Sequence, residues 1–366
     1  MSHKVFLIAA ARPNFMKVAP LWRAMSEHSD ALEPMLIHTG QHYDQNMSGI
    51  FFEELGLPTP HVHLGVGGGS HAQQTAAVMV KFEELCLQER PDLVVVVGDV
   101  NATMATSVTA AKLHIPVAHV EAGLRSRDMT MPEEINRLLT DAIADLLFTP
   151  SPDADENLRA EGVAPARIKL VGNIMIDSLV DSVERARALG TCSAFGLEPQ
   201  GFGVVTLHRP ANVDDPVTLA CILDVLVGMN LPLVFPVHPR TRAVMRQHGL
   251  DARCRLVDSL VILADPLGYY EFMNLVVNSR LILTDSGGLQ EEATWLGIPC
   301  LTLRPNTERP ITITEGTNEL ATVESLATQT AAILAGNWKK GRVPDLWDGH
   351  TAPRIVKVLE EFLAGR

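Results

Sequence analysis

Residues 119–137, HVEAGLRSRDMTMPEEINR, follow the apolar run Ile115-Pro116-Val117-Ala118 and hold four carboxylates and three arginines. Carboxylates beside arginines where a buried strand ends could do general acid/base work on a bound anion; a solvated loop could carry the same charges. Pro132 suits the first position of a helix whose apolar stripe would run Ile135, Leu138, Leu139, Ala142, Leu146. Glu133 and Arg137, four apart, then lie together on the face away from that stripe. They form either a surface ion pair worth about 0.3–0.5 kcal/mol or a proton-transfer carboxylate beside a cation. Asp99 and Glu121, each at a strand end, read as helix caps or as further acid/base groups. His208 and His238 each close an apolar strand, as hydrogen-bonded structural residues or as parts of a site.

A second chemistry-bearing stretch is LILTDSGGLQEEATWLG, a strand, a small-residue turn and a helix start. There the backbone N–H groups of Ser286, Gly287 and Gly288 can point at an anion, a phosphate being the usual guest, although a plain tight turn has the same sequence. It matches neither the dinucleotide fingerprint nor the P-loop, and the glycines of GVGGGSH (65–71) read as a flexible loop, so no nicotinamide cofactor or ATP is indicated. Asp153 and Asp155 form a D-x-D that could hold a divalent metal beside a diphosphate, but behind Ser151 they suit the first turn of a helix better. The five cysteines (86, 192, 221, 254, 300) are scattered without C-x-x-C spacing, which suggests neither a disulfide framework nor a zinc site and fits a reducing cytoplasm.

These residues need a scaffold. At 366 residues the chain can bury two cores, and 46% hydrophobic with 20% charged residues describes a folded protein. A formal net charge of -13 argues against nucleic acid as the main partner. No apolar stretch approaches the ~20 residues of a membrane span, and VFLIAAA after Lys4 reads as a first core strand rather than a signal peptide. Buried strands are expected at KVFLIAA, PMLIHT, DLVVVVG, IPVAHV, LLFTP and IKLVG, and again from about residue 201 at FGVVTL, PLVFPV, CRLVD, RLILTD and IPCLTL. Amphipathic segments separate them, which predicts an α/β chain of two Rossmann-like doubly wound domains. The joins are expected near 173/174 and 350/351, with a C-terminal helix over 351–366 docking back on the N-terminal domain. In such sheets ligands bind beyond the carboxyl ends of the strands. Polar motifs cluster at those ends in both halves, which suggests a cleft between two sheets.

Taken together and in order, ARPNFMKVAPL, TGQHYD, GD at 98–99, HVEAGLR, PEEINR, GN at 172–173, HRPAN, PVHPR, TDSGGLQEEA and TERP resemble the non-hydrolysing UDP-N-acetylglucosamine 2-epimerases from residue 5 to about 360. The resemblance implies a type B glycosyltransferase fold, a cytosolic homodimer, a UDP-sugar substrate, and neither cofactor nor metal. It implies inversion at C2 by elimination and re-addition of UDP, giving UDP-N-acetylmannosamine for a surface polysaccharide. On this resemblance the acid/base carboxylates are Asp99, Glu121 and Glu133, with Arg137 beside the last and Glu134 the alternative to Glu133; His208 serves the leaving diphosphate. Arg12 and Lys17 match a basic pair, the Ser286-Gly287-Gly288 turn takes the diphosphate, Glu292 matches a ribose ligand, and Phe272 and Arg309 match further UDP-site positions.

The chain departs from many relatives in having AARPN and HRPAN, and in the region 43–75, where YDQNMS and GVGGGSH replace segments that help relatives bind an activating second UDP-sugar. Gln41, His42, Arg209 and His238 remain. Other readings are a 2-epimerase of a modified UDP-sugar, such as a 2,3-diacetamido uronic acid, a hydrolysing relative, or a silent UDP-sugar sensor.

Overall fold

The computed structural model describes residues 2–40, 52, 55–255 and 259–366, without the side chains of Arg12 and His28. Gln41 and His42 lie outside the described residues. The chain forms two compact units, residues 1–178 with 345–366, and residues 179–344.

The first unit is built on a parallel sheet in the order β3-β2-β1-β4-β5-β6-β7. Its strands are β1 (His3–Ala9), β2 (Leu32–His38), β3 (Val62–His63), β4 (Leu93–Val97), β5 (Val117–Val120), β6 (Leu146–Thr149) and β7 (Ile168–Leu170). β4 reads Leu-Val-Val-Val-Val and is buried throughout, as a strand covered on both faces must be. The second unit repeats the plan in the order β10-β9-β8-β11-β12-β13. Here the strands are β8 (Gly203–Thr206), β9 (Leu233–Pro236), β10 (Val261–Ala264), β11 (Leu281–Thr284), β12 (Cys300–Leu303) and β13 (Asn318–Ala321). The expected class, two doubly wound α/β domains, holds. Within each unit the winding reverses at one place, between β1 and β4 and between β8 and β11, and the helices leaving those strands diverge there.

Four elements differ from expectation. Cys254 and Arg255 of CRLVD end a 3-10 turn (Leu250–Arg255), and the strand is the next apolar run, Val261–Ala264, which pairs with β9. β3 is two residues long, and β13, Asn-Glu-Leu-Ala, is half polar, so neither gives an apolar-run signal. The helix begun by Pro132 ends at Ile143, and Leu146 opens β6 instead of closing the helical stripe.

The units divide at 178/179 and 344/345 rather than at the motif-based joins because the flanking residues bond back into the first unit. Ser178 Oγ donates to the Met16 carbonyl. The Asp177 carboxylate accepts from Thr351 N (3.1 Å) and Ala352 N (2.7 Å), two otherwise unpaired donors opening helix Thr351–Ala364. Trp347 Nε1 donates to the Pro150 carbonyl at 2.9 Å. Ile355, Leu359 and Leu363 bury one face of that helix, which packs on helix Arg12–His28.

Candidate active site

In the first unit the polar residues gather around the β1/β4 reversal. Helix Arg12–His28 places Lys17 inward, where its ammonium pairs with the Glu121 carboxylate; both side chains are buried. Gly98 follows β4 at φ +67, and a Cβ there would sit 3.1 Å from Lys17 Nζ and 3.4 Å from Glu121 Oε2. Glycine is therefore required twice, for the turn and for the room. Glu121 itself adopts φ +72, a left-handed conformation rare outside glycine that costs about 1–2 kcal/mol. Its N–H and that of Ala122 share the Phe148 carbonyl at 3.1 and 3.0 Å, which fixes the bend.

The opening stretch is not a solvated loop: residues 121–126 are buried. Helix Pro132–Ile143 also reverses the expected orientation. Its buried face is Glu134, Asn136, Arg137, Thr140 and Asp141, whereas Ile135, Leu139 and Ile143 are 44%, 45% and 36% exposed. The polar face turns inward because it supplies partners to the strand ends. Arg137 donates to Asp99 at 2.5 Å and to Glu134 at 2.6 and 3.0 Å, and Asn136 Nδ2 holds the Asp99 carbonyl at 2.9 Å. Glu134 further accepts from Ser126 N and Oγ (both 3.0 Å) and Arg127 N (2.8 Å). Burial would raise its pKa, but the donors from Ser126, Arg137 and Arg127 hold it below the usual range. Arg137 is thus a buried cation shared by Asp99 and Glu134, not half of a surface pair with Glu133, which is half-buried on the helix's first turn.

The second unit gathers its polar residues around the β8/β11 reversal. Asp285, fully buried, accepts from His208 N (3.0 Å), Arg209 N (2.9 Å) and Asn212 Nδ2 (3.1 Å), and its other oxygen lies 2.9 Å from His208 Nδ1. Burial opposes its ionisation, yet His208 and these donors keep its pKa low. A carboxylate at Nδ1 fixes the His208 ring and leaves Nε2 for a ligand. His238 lies 5.7 Å from His208 ring to ring and caps helix Pro239–Gln247, its Nδ1 accepting from Arg240 N at 3.2 Å.

Ser286 precedes helix Gly287–Leu296, and residues 286–288 are partly exposed at its N-terminus. A Cβ at Gly287 would lie 2.6 Å from Arg309 Nη1, so this glycine admits the guanidinium to the turn. Arg309 is held by Glu291 (2.9 Å) and Glu308 (2.9 Å), and Glu308 also pairs with Arg304 at 2.7 Å. Burial would raise the Glu308 carboxyl, but Arg309, Arg304 and Arg209 hold it well below the usual range. An anion-binding turn beside clustered guanidiniums suits a diphosphate. Phe272 is half-buried on helix Tyr269–Asn278. The sequence reading missed Asp285 and Glu308, and also His119 and Asp141, which is buried 2.6 Å from the His119 ring. Asp285, Glu308 and His119 stand inside the motifs TDSGG, TERP and HVEAGLR, whereas Asp141 lies outside them all. Asp155 of the D-x-D pairs with Thr149 and Arg159, and among the described residues no group of three or more His, Cys, Asp or Glu could hold a metal.

Glu292 differs from Glu134, Asp285 and Glu308. Burial and the neighbouring Glu291 push its pKa up to about 8, and Tyr269 OH approaches it at 3.4 Å. The folded chain therefore holds a proton that the unfolded chain, with a carboxyl near 4.5, releases. Wild-type stability should fall as pH rises from about 5 to about 8, by at most about 1.4 kcal/mol per pH unit, and level off above. Glu292→Gln should lose this fall. In urea unfolding at a series of pH values, the stability of the variant relative to wild type should rise across that window; parallel curves would remove Glu292 as the titrating group.

A family model described as UDP-N-acetylglucosamine 2-epimerase matches residues 23–360. The chain is 41% identical over 367 residues to a UDP-N-acetylglucosamine 2-epimerase homolog of Methanococcus maripaludis, covering 98% of this chain and 100% of that one. It is 45% identical over 323 residues to the UDP-2,3-diacetamido-2,3-dideoxy-D-glucuronate 2-epimerase of Pseudomonas aeruginosa, covering 87% and 88%. The crystal structure of Methanocaldococcus jannaschii UDP-GlcNAc 2-epimerase in complex with UDP-GlcNAc and UDP is similar at a TM-score of 0.88, with 39% identity and coverage of 98% and 99%. With the family model spanning most of its length and relatives matching it nearly end to end, this chain belongs to the UDP-N-acetylglucosamine 2-epimerase family.

Proposed function

We propose that the chain interconverts UDP-N-acetylglucosamine and UDP-N-acetylmannosamine. The observation that carries the reading is the Lys17–Glu121 and Asp99–Arg137 pairing at adjacent strand ends, in a chain of this family. C2 of the sugar has no adjacent carbonyl, so its proton is not acidic until the anomeric C–O bond breaks. In the proposed reaction the C1–O bond to UDP breaks as a carboxylate takes the C2 proton, leaving a 2-acetamidoglucal. A second carboxylate protonates the opposite face of C2, and the UDP oxygen re-forms the bond to C1. Asp99, Glu121 and Glu133 are the proposed acid/base groups. Glu134 is set aside because Ser126, Arg127 and Arg137 occupy both of its oxygens. In the second unit His208, Arg309 and the 286–288 turn are proposed to hold the departing diphosphate, with Glu292 on the ribose and Phe272 in the UDP site, and in the first unit Arg12 and Lys17 are proposed as substrate-binding cations.

NMR of the products formed from UDP-N-acetylglucosamine tests this reading, which requires UDP-N-acetylmannosamine; release of free sugar or no turnover would overturn it. The 45% identity to the Pseudomonas aeruginosa enzyme supports a second reading, in which only the UDP-2,3-diacetamido uronic acid turns over. With the active substrate, Asp99→Asn, Glu121→Gln and Glu133→Gln should each lower kcat by roughly 10²–10⁴ with smaller changes in KM. Near-normal turnover would remove that residue from the mechanism.

We also propose a homodimer in the cytoplasm, where the five free thiols would stay reduced. No described helix is long and apolar enough to cross a membrane. The exposed stripe Ile135, Leu139, Ile143 supports the dimer, since its helix lies beside helix Asn101–Lys112, which packs on helix His71–Glu89 with exposed Val80 and Leu87. Leu139→Glu should shift light-scattering mass from dimer to monomer; an unchanged dimer places the interface elsewhere, and recovery in a membrane fraction would contradict the compartment.

A further inference from the structure

We propose that His119 and Asp141 are positioning residues for Asp99 and Glu121, acting through the backbone of Gly98 and Gly123. The proposal rests on the reading of those two carboxylates as acid/base groups. His119 lies on β5 with no exposed surface. Its Nε2 is 2.8 Å from the Gly98 carbonyl, and its Nδ1 is 2.6 Å from Asp141 Oδ1. The other Asp141 oxygen accepts from Gly123 N at 3.1 Å and pairs with Arg125 Nη1 at 2.7 Å.

A carbonyl oxygen can only accept. Asp141 meets only donors on its second oxygen, and although burial would raise its carboxyl, His119 and Arg125 hold it below the usual range. His119 Nε2 therefore carries the hydrogen that the Gly98 carbonyl accepts, and Nδ1 and Asp141 Oδ1 share the other between them. Arg125 is in turn held by Glu161 at 2.6 and 2.8 Å, so the chain of four groups is neutral.

A buried ionic chain is an expensive strut, because each ion loses several kcal/mol of hydration and apolar packing of the same volume would serve. Its two ends explain its presence. One fixes the peptide just before Asp99, whose left-handed glycine is also held by Gly98 N donating to Val120 O at 3.1 Å. The other fixes the peptide two residues after Glu121, whose strained φ of +72 persists only if its surroundings over-determine it. One histidine–aspartate pair thus sets both loops in register, and a displacement of about 1 Å at a reacting group costs on the order of 10² in rate.

The test is steady-state kinetics of the full chain with the UDP-sugar it turns over. His119→Ala and Asp141→Ala should lower kcat by about 10² with KM within about threefold of wild type. Asp141→Asn should restore kcat to within about tenfold: its amide can donate to a neutral His119 that still donates to Gly98, while its oxygen still accepts from Gly123 and Arg125. Wild-type kcat in the folded alanine variants, or an asparagine variant as impaired as the alanine one, would overturn the proposal. Should the alanine variants not fold, ¹⁵N-histidine NMR of wild type decides, with the His119 signals identified by their loss in His119→Gln. A hydrogen on Nε2, toward the Gly98 carbonyl, is expected; a bare Nε2 would break that anchor and overturn the proposal. If Asp99→Asn and Glu121→Gln turn over normally, the acid/base reading fails whatever His119 does. If those two are impaired and His119→Ala is not, the positioning proposal alone fails.

Discussion

Every carboxylate that this chain buries must find a cation or a set of N–H donors, because an unpaired ion in the interior costs several kcal/mol. That constraint shapes both units. Asp285 draws the turn after β8 onto itself through His208, Arg209 and Asn212, and Glu308 collects three arginines. Glu134 closes the segment after β5 by accepting from Ser126 and Arg127 while holding Arg137. Arg137 then has one direction left and takes Asp99. Satisfying buried charge is thus what gives these strand-end segments a single conformation. Glu292, which lies beside Glu291 and gains only a long contact from Tyr269, keeps its proton instead.

The parallel sheets decide where such charge can be useful. At a winding reversal the helices leaving two neighbouring strands diverge, and the backbone groups there are left for ligands. Lys17, Asp99 and Glu121 come from segments following β1, β4 and β5, whereas His208 and the Ser286 turn follow β8 and β11. The proposed division of labour follows the residue types. The first unit offers carboxylates paired with cations, suited to moving protons, and the second offers a helix N-terminus, a histidine and guanidiniums, suited to a diphosphate.

Much of this was legible in the sequence because it rests on local rules. Apolar runs alternating with amphipathic segments are enough to give a doubly wound α/β chain. The family was legible only in the ordered set of motifs, since HRPAN or TDSGG alone has bland readings. What was not legible depends on tertiary partners. The helix after Pro132 has the predicted period with the opposite face buried, because periodicity reports a stripe but not which side meets the protein. Glu133 and Glu134 are equivalent by pattern; only the positions of Ser126, Arg127 and Arg137 tell them apart. His119 read as part of an apolar strand, and nothing local connects it with Asp141, twenty-two residues on.

The central claim is that carboxylates at the ends of β4 and β5 move the C2 proton by an elimination that frees UDP. The most direct measurement follows C2 by NMR during turnover in D₂O. If one carboxylate removes the proton and another returns one to the opposite face, the product carries deuterium at C2 from the first turnover, and recovered substrate gains it as the reaction reverses. Product that keeps its original C2 hydrogen throughout would contradict the account.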